Sequence, residues 1–141
     1  MQLDISGLKS GYGKVQILHG IDFTAPPGEI TAVLGANGAG KSTLMKTIAG
    51  HLPVTAGEMH FRGNSLVGRS ALAICREGIG YVPQTGNVFA ELSVRDNLRA
   101  ASLAFEGAEE RVVEVLRRFP ILGERAGQTA STLSGGERQT L

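Results

Sequence analysis

The chain has 141 residues, of which 42% are apolar and 19% charged, values that place it with folded globular domains rather than disordered chains. Basic and acidic residues number 14 and 13, and the resulting net charge of +1 leaves no electrostatic footprint for nucleic acid or an anionic membrane surface. The one cysteine, Cys75, excludes a disulfide framework and a multi-cysteine metal site. No apolar run approaches the roughly 18 residues of a membrane-spanning helix. The start Met1-Gln2-Leu3-Asp4 has neither the basic region nor the apolar stretch of a signal peptide.

Residues 2–9 alternate loosely and predict a strand, Gly11-Tyr12-Gly13 a turn, and residues 15–24 a second strand. Pro26-Pro27-Gly28 is a break. Glu29 to Leu34 is an unbroken apolar run, which predicts a strand buried on both faces of a parallel sheet. A glycine-rich segment leads into a helix over 41–49, with Leu44, Met45 and Ile48 at helical spacing and Gly50 and Pro53 as its stop. Residues 57–62 predict a strand, 69–76 a short helix, and Ile79 to Val82 a short buried strand ended by Pro83. From Ser93, a plausible N-cap, the character is helical. A second helix over 108–119 carries Val112, Val115, Leu116 and Phe119 on one face. The fold class expected is therefore α/β: a strand-rich core over 1–84, a helical part over 85–133, and the start of a further helix over 134–141.

Residues 35–42, Gly-Ala-Asn-Gly-Ala-Gly-Lys-Ser, fit the phosphate-binding pattern G-x-x-x-x-G-K-[ST] between a predicted strand and a predicted helix. Glycines at Gly35, Gly38 and Gly40 let consecutive N–H groups, with those of Asn37 and Ala39, surround phosphate oxygens. The helix that follows adds its free N–H groups and positive dipole end. Lys41 reaches the β and γ phosphates as a point charge. The Ser42 hydroxyl suits Mg2+, and Thr43 can donate to an α-phosphate oxygen. The plain alternative is a glycine-rich turn.

Residues 133–137 are Leu-Ser-Gly-Gly-Glu. Ser134 with Glu137 is a capping box, and the bare amides of Gly135 and Gly136 make the same helix start a second candidate anion site. Followed by Arg138-Gln139, the segment resembles the signature motif of ATP-binding-cassette (ABC) ATPases, and with the phosphate loop the resemblance covers essentially the whole chain. It implies a P-loop NTPase core with a helical subdomain. It implies that Tyr12 stacks on adenine with Ile17 packed beside it, and that ATP and Mg2+ are the cofactors. Gln84, in Gly80-Tyr81-Val82-Pro83-Gln84, resembles the glutamine that touches the metal and the nucleophilic water. With Lys41 it completes the expected catalytic set. Ser134, Gly135, Gly136 and Glu137 would contact ATP held by a second ABC ATPase subunit, in a head-to-tail homodimer or heterodimer.

Gly35 to Gly50 and Gly78 to Leu98 are similar to the ATPase subunit of branched-chain amino-acid importers. That implies high-affinity branched-chain amino-acid uptake, transmembrane permease partners, an indirect link to a periplasmic or extracellular solute-binding protein, and a cytoplasmic location on the inner face of the membrane. A cassette for another solute is the alternative. The family continues past its signature with a strand ending in Asp-Glu and then a switch histidine. Here the aspartates are Asp4, Asp22 and Asp96, the histidines His19, His51 and His60, and the chain stops at Leu141. The expectation is a cassette truncated after the signature, which leaves a hydrolysis-deficient ATP-binding fragment as a rival. A non-transport cassette is a second rival, opposed by the compact, uninterrupted span from Gln84 to Leu133.

Overall fold

A computed structural model describes residues 2–141. The chain divides into two compact units, one ending at Tyr81 and the other running from Val82 to Leu141.

The first unit is a four-stranded antiparallel sheet with a helix against it. Strand β1 (Leu3–Tyr12) pairs with β2 (Val15–Ala25) on one edge and with β3 (Val54–Phe61) on the other. A two-residue β4 (Asn64–Ser65) completes the order β2-β1-β3-β4. Strict alternation would put Ile5 and Leu8 on opposite faces of β1. Register shifts between them on both edges turn both into the core, where Leu8 is fully buried. Leu18, Leu44, Ile48, Met59, Leu66 and Ile74 pack with them, each large apolar side chain contributing about 1.5–3 kcal/mol when fully buried. β1 runs through Tyr12, so the reversal falls on Gly13-Lys14 rather than Gly11-Tyr12-Gly13.

Helix α1 (Lys41–Ile48) buries Thr43, Leu44, Thr47 and Ile48. It is tied to β1 by polar atoms as well as packing. The Thr47 hydroxyl lies 2.8 Å from Ser10 Oγ, and Ser10 Oγ donates to the Pro53 carbonyl at 2.8 Å. Both side chains are fully buried, where an unpaired hydroxyl would be costly. A short helix α2 (Ala71–Arg76) is capped by Ser70, whose hydroxyl accepts from the Ala73 N–H.

Two expected strands do not form. Residues 29–34 form no regular element, with Ile30 and Leu34 102% and 90% exposed instead of buried. Ile79 to Val82 likewise forms none, and Val82 is 80% exposed. A parallel strand exists only through ladders to neighbours, and among the described residues no strand pairs with either segment.

The second unit is helical: α3 (Val94–Ser102), α4 (Ala108–Arg118), α5 (Pro120–Glu124), a 3-10 turn over Ala130–Thr132 and α6 (Gly135–Thr140). Ser93 caps α3, accepting from the Asp96 N–H at 3.1 Å. Val94, Leu122, Ala130 and Leu133 form a small core. Buried Asn97 holds the chain before α3: its Oδ1 accepts from the Phe89 N–H at 2.7 Å, and its Nδ2 donates to the Phe89 and Ser93 carbonyls at 3.0 Å each. Among the described residues no helix is long and apolar enough to cross a membrane.

Candidate phosphate-binding site

The first unit carries Tyr12, Ile17 and all of residues 35–43. The loop turns at Asn37-Gly38, with Gly38 at φ 85° and Gly40 at φ 90°, both in the left-handed region that glycine alone enters freely. The Ala39 N–H donates to the Ala36 carbonyl at 3.2 Å, and the Leu44 N–H makes the first helical bond to Gly40 at 2.8 Å. Gly40 is the N-cap of α1 and supplies no side-chain bond, so the first amides of the helix are not capped from within. The first turn of α1 also contains no acidic residue, and nothing there opposes an anion at the positive end of the helix dipole.

Lys41 folds back over the loop. Its Nζ donates to the carbonyls of Gly35 at 2.6 Å and Ala36 at 2.7 Å. The ammonium is thus held on the loop's own carbonyl oxygens. Strand β2 backs the loop from the other side. A Cβ on Gly40 would stand 3.1 Å from Leu18 Cδ2 and 3.4 Å from Ile17 Cγ2. Ser42 is exposed and Thr43 is buried. Tyr12 lies at the end of β1 with its ring half-exposed. Lys41 and Ser42 also form the rim of a cleft of about 540 Å³ whose walls include Leu3, Phe23, Val33, Met45 and Ile48. Glu29 and Thr31 add polar atoms to the same lining.

Gln84 and residues 134–137 lie in the second unit. Gln84 is exposed at a bend. At the signature segment the capping box is complete: Ser134 Oγ accepts from the Glu137 N–H at 3.3 Å, and Glu137 Oε2 accepts from the Ser134 N–H at 2.8 Å. Glu137 Oε1 also meets Arg125 Nε at 3.1 Å. These contacts hold its carboxyl below the usual carboxylate range, the Ser134 N–H first, then the Ser134 hydroxyl and the Arg125 charge. Gly135 and Gly136 are exposed, and a Cβ on either would meet nothing within 4 Å.

Three contributors escape motif reading. Arg125 gives no signal, because its partner is set by the path of the chain after α5. Lys46 lies over the Tyr12 ring, 5.7 Å from its centroid, and no motif includes it. Asn97 does leave a trace, as a residue of low helix propensity inside an otherwise regular helix.

Residues 18–141 match the ABC transporter family. A high-affinity branched-chain amino acid transport ATP-binding protein of Pseudomonas aeruginosa is 39% identical over 99% of this chain and 60% of its own length. A probable branched-chain amino acid transport ATP-binding protein of Archaeoglobus fulgidus is 40% identical over 95% of this chain and 58% of its own. The lipopolysaccharide export system ATP-binding protein of Escherichia coli is 35% identical over 97% and 58%. Among solved structures, an ATP-binding subunit of an ABC transporter superposes with a TM-score of 0.80 at 30% identity, over 99% of this chain and 59% of that one. The chain thus spans about 60% of the length of the curated relatives it matches, and its fold is that of their ABC ATPase cores.

Proposed function

The chain belongs to the ABC transporter family, and on that premise we propose that it is the nucleotide-binding portion of a transporter's ATPase subunit. The observation that carries this reading is the loop before α1, with the Lys41 ammonium 2.6 and 2.7 Å from the Gly35 and Ala36 carbonyls at a helix start free of acidic side chains. The amides of residues 35–43 would take the phosphates of ATP. Lys41 would shift from its carbonyls to the β and γ oxygens, and Thr43 would donate to the α-phosphate. Tyr12 would stack on the base with Ile17 beside it. Gln84 would orient water, and Ser134, Gly135, Gly136 and Glu137 would meet the nucleotide of a second ABC ATPase subunit.

The residues present fit Mg2+. Among the described residues no group of three His, Cys, Asp or Glu side chains could hold a metal. Mg2+, however, prefers hard oxygen donors, keeps several waters and is held largely by substrate phosphates. The Ser42 hydroxyl would supply the first unit's share, and the ion when bound neutralises phosphate charge.

For the 141 residues themselves, we propose nucleotide binding. Each aspartate has a structural partner: Asp4 accepts from Gln2 and Thr24, Asp22 from the Gly7 N–H, and Asp96 from Ser93. For the whole subunit, we propose ATP hydrolysis coupled to branched-chain amino-acid uptake, supported by the names of the two most similar relatives above. Its partners would be transmembrane permease subunits and, indirectly, a solute-binding protein, with the ATPase on the inner face of the membrane. The lipopolysaccharide relative keeps another solute as the alternative.

Calorimetry with Mg-ATP on the purified chain, beside Lys41→Ala, tests the site. The expected result is measurable binding that Lys41→Ala abolishes. Equal binding by both proteins would overturn the assignment.

A further inference from the structure

Lys46 projects from α1 beyond the phosphate loop and is half-buried. Its Nζ stands over the Tyr12 ring, 5.7 Å from the centroid, within the roughly 6 Å over which a ring quadrupole attracts a cation. Both ends of this contact are anchored. Tyr12 is paired with Val15 at the closing end of the β1–β2 hairpin. Next to it, a Cβ on Gly11 would stand 2.0 Å from the Val15 carbonyl oxygen, so only glycine lets the hairpin close there. Lys46 precedes Thr47, whose hydroxyl lies 2.8 Å from Ser10 Oγ on the same strand as Tyr12. The pair is therefore held across a fixed β1–α1 junction.

We propose that Lys46 is a positioning residue for the nucleoside end of the site. Its ammonium covers one face of the Tyr12 ring and sets the ring plane relative to α1. The opposite face remains as the platform on which a base stacks. A ring already held in place loses less conformational freedom when the base arrives. The inference rests on the nucleotide-site reading above and adds two claims to it: Lys46 acts through Tyr12, and it acts on the base rather than on the phosphates.

The test measures binding of Mg-ATP and of inorganic tripolyphosphate, which has no base, to the wild-type chain, Lys46→Met, Lys46→Arg, Tyr12→Ala and the double variant Lys46→Met/Tyr12→Ala. Lys46→Met should weaken ATP about two- to fivefold, the scale of an exposed cation–π contact, and leave tripolyphosphate unchanged. Lys46→Arg should restore the ATP affinity. In the Tyr12→Ala background, Lys46→Met should cost nothing further. Three results would overturn the proposal: equal weakening of both ligands, an undiminished effect without the Tyr12 ring, or no effect on ATP. A chain that binds neither ligand overturns the nucleotide-site reading, and this inference with it. A chain that binds both but ignores Lys46→Met overturns this inference alone.

Discussion

The turn before α1 and the turn before α6 both present backbone amides at the start of a helix. The first takes its shape from backbone torsions, with Gly38 and Gly40 in the left-handed region and no side-chain cap. The second takes its shape from side chains: Ser134 and Glu137 bond reciprocally, and Arg125 holds the carboxylate from outside. Its glycines need no special torsion. A turn built from torsions is indifferent to charge and intolerant of a Cβ. A turn built from side chains tolerates a Cβ and responds to protonation.

The largest effect should come from Gly40→Ala. Alanine at φ 90° is strained, at a cost of about 1–3 kcal/mol. Its Cβ would also press on Leu18 Cδ2 at 3.1 Å, so Mg-ATP affinity should fall together with stability in urea. Gly136→Ala is the matched control. Its Cβ meets open space without an unusual φ, and a surface change of that kind stays within about 0.5 kcal/mol. Similar losses at the two positions, read from urea midpoints, would erase the distinction between the turns.

The same division explains what could be read from the sequence. The hairpin, the helices over 41–49, 69–76 and 108–119, and the Ser93 and Ser134 caps depend on neighbours a few residues away, and local pattern finds them. The glycine-rich turn before α1 is legible because its torsions are written into consecutive residues. Residues 29–34 and Ile79 to Val82 depart from the predicted strands because apolar composition states a preference, while strand pairing needs partners elsewhere in the chain. The shift that places both Ile5 and Leu8 in the core was hidden for the same reason. So were the contacts of Lys46 with Tyr12 and of Arg125 with Glu137, since no short-range rule joins those positions.

A smaller effect is expected from Ser134→Ala. Losing an N-cap hydroxyl costs about 1 kcal/mol, confined to α6. Hydrogen exchange of the Arg138 amide, which bonds to the Ser134 carbonyl at 3.0 Å, should accelerate about fivefold. Ser42→Ala removes a hydroxyl at the other helix start, where no side chain caps. Exchange at Leu44, whose amide bonds to the Gly40 carbonyl, should not change. Acceleration at Leu44 would show that the first turn also leans on side chains.

The smallest effect is a titration. The Glu137 carboxyl is depressed, chiefly by the Ser134 N–H it accepts from. A depressed carboxylate adds stability above its unfolded value and loses it as pH falls through the folded one. The first turn of α6 should therefore hold at neutral pH and fray as the solution is acidified below about pH 4.3, the ordinary Glu value. The first turn of α1 has no acidic residue and should stay unchanged over that window. Glu109 supplies the contrast within the second unit. Its carboxyl is also depressed, but chiefly by the Arg99 guanidinium, in an exposed ion pair with Arg99 Nε 3.0 Å from Glu109 Oε2. Salt screens an exposed ion pair far more than a hydrogen bond from a backbone amide. In a carboxyl NMR titration repeated at 1 M salt, the Glu109 midpoint should climb toward its ordinary value while that of Glu137 moves less. Equal movement would mean that Arg125, and not the Ser134 N–H, holds Glu137 ionised, and that the turn before α6 is fastened from outside its own box.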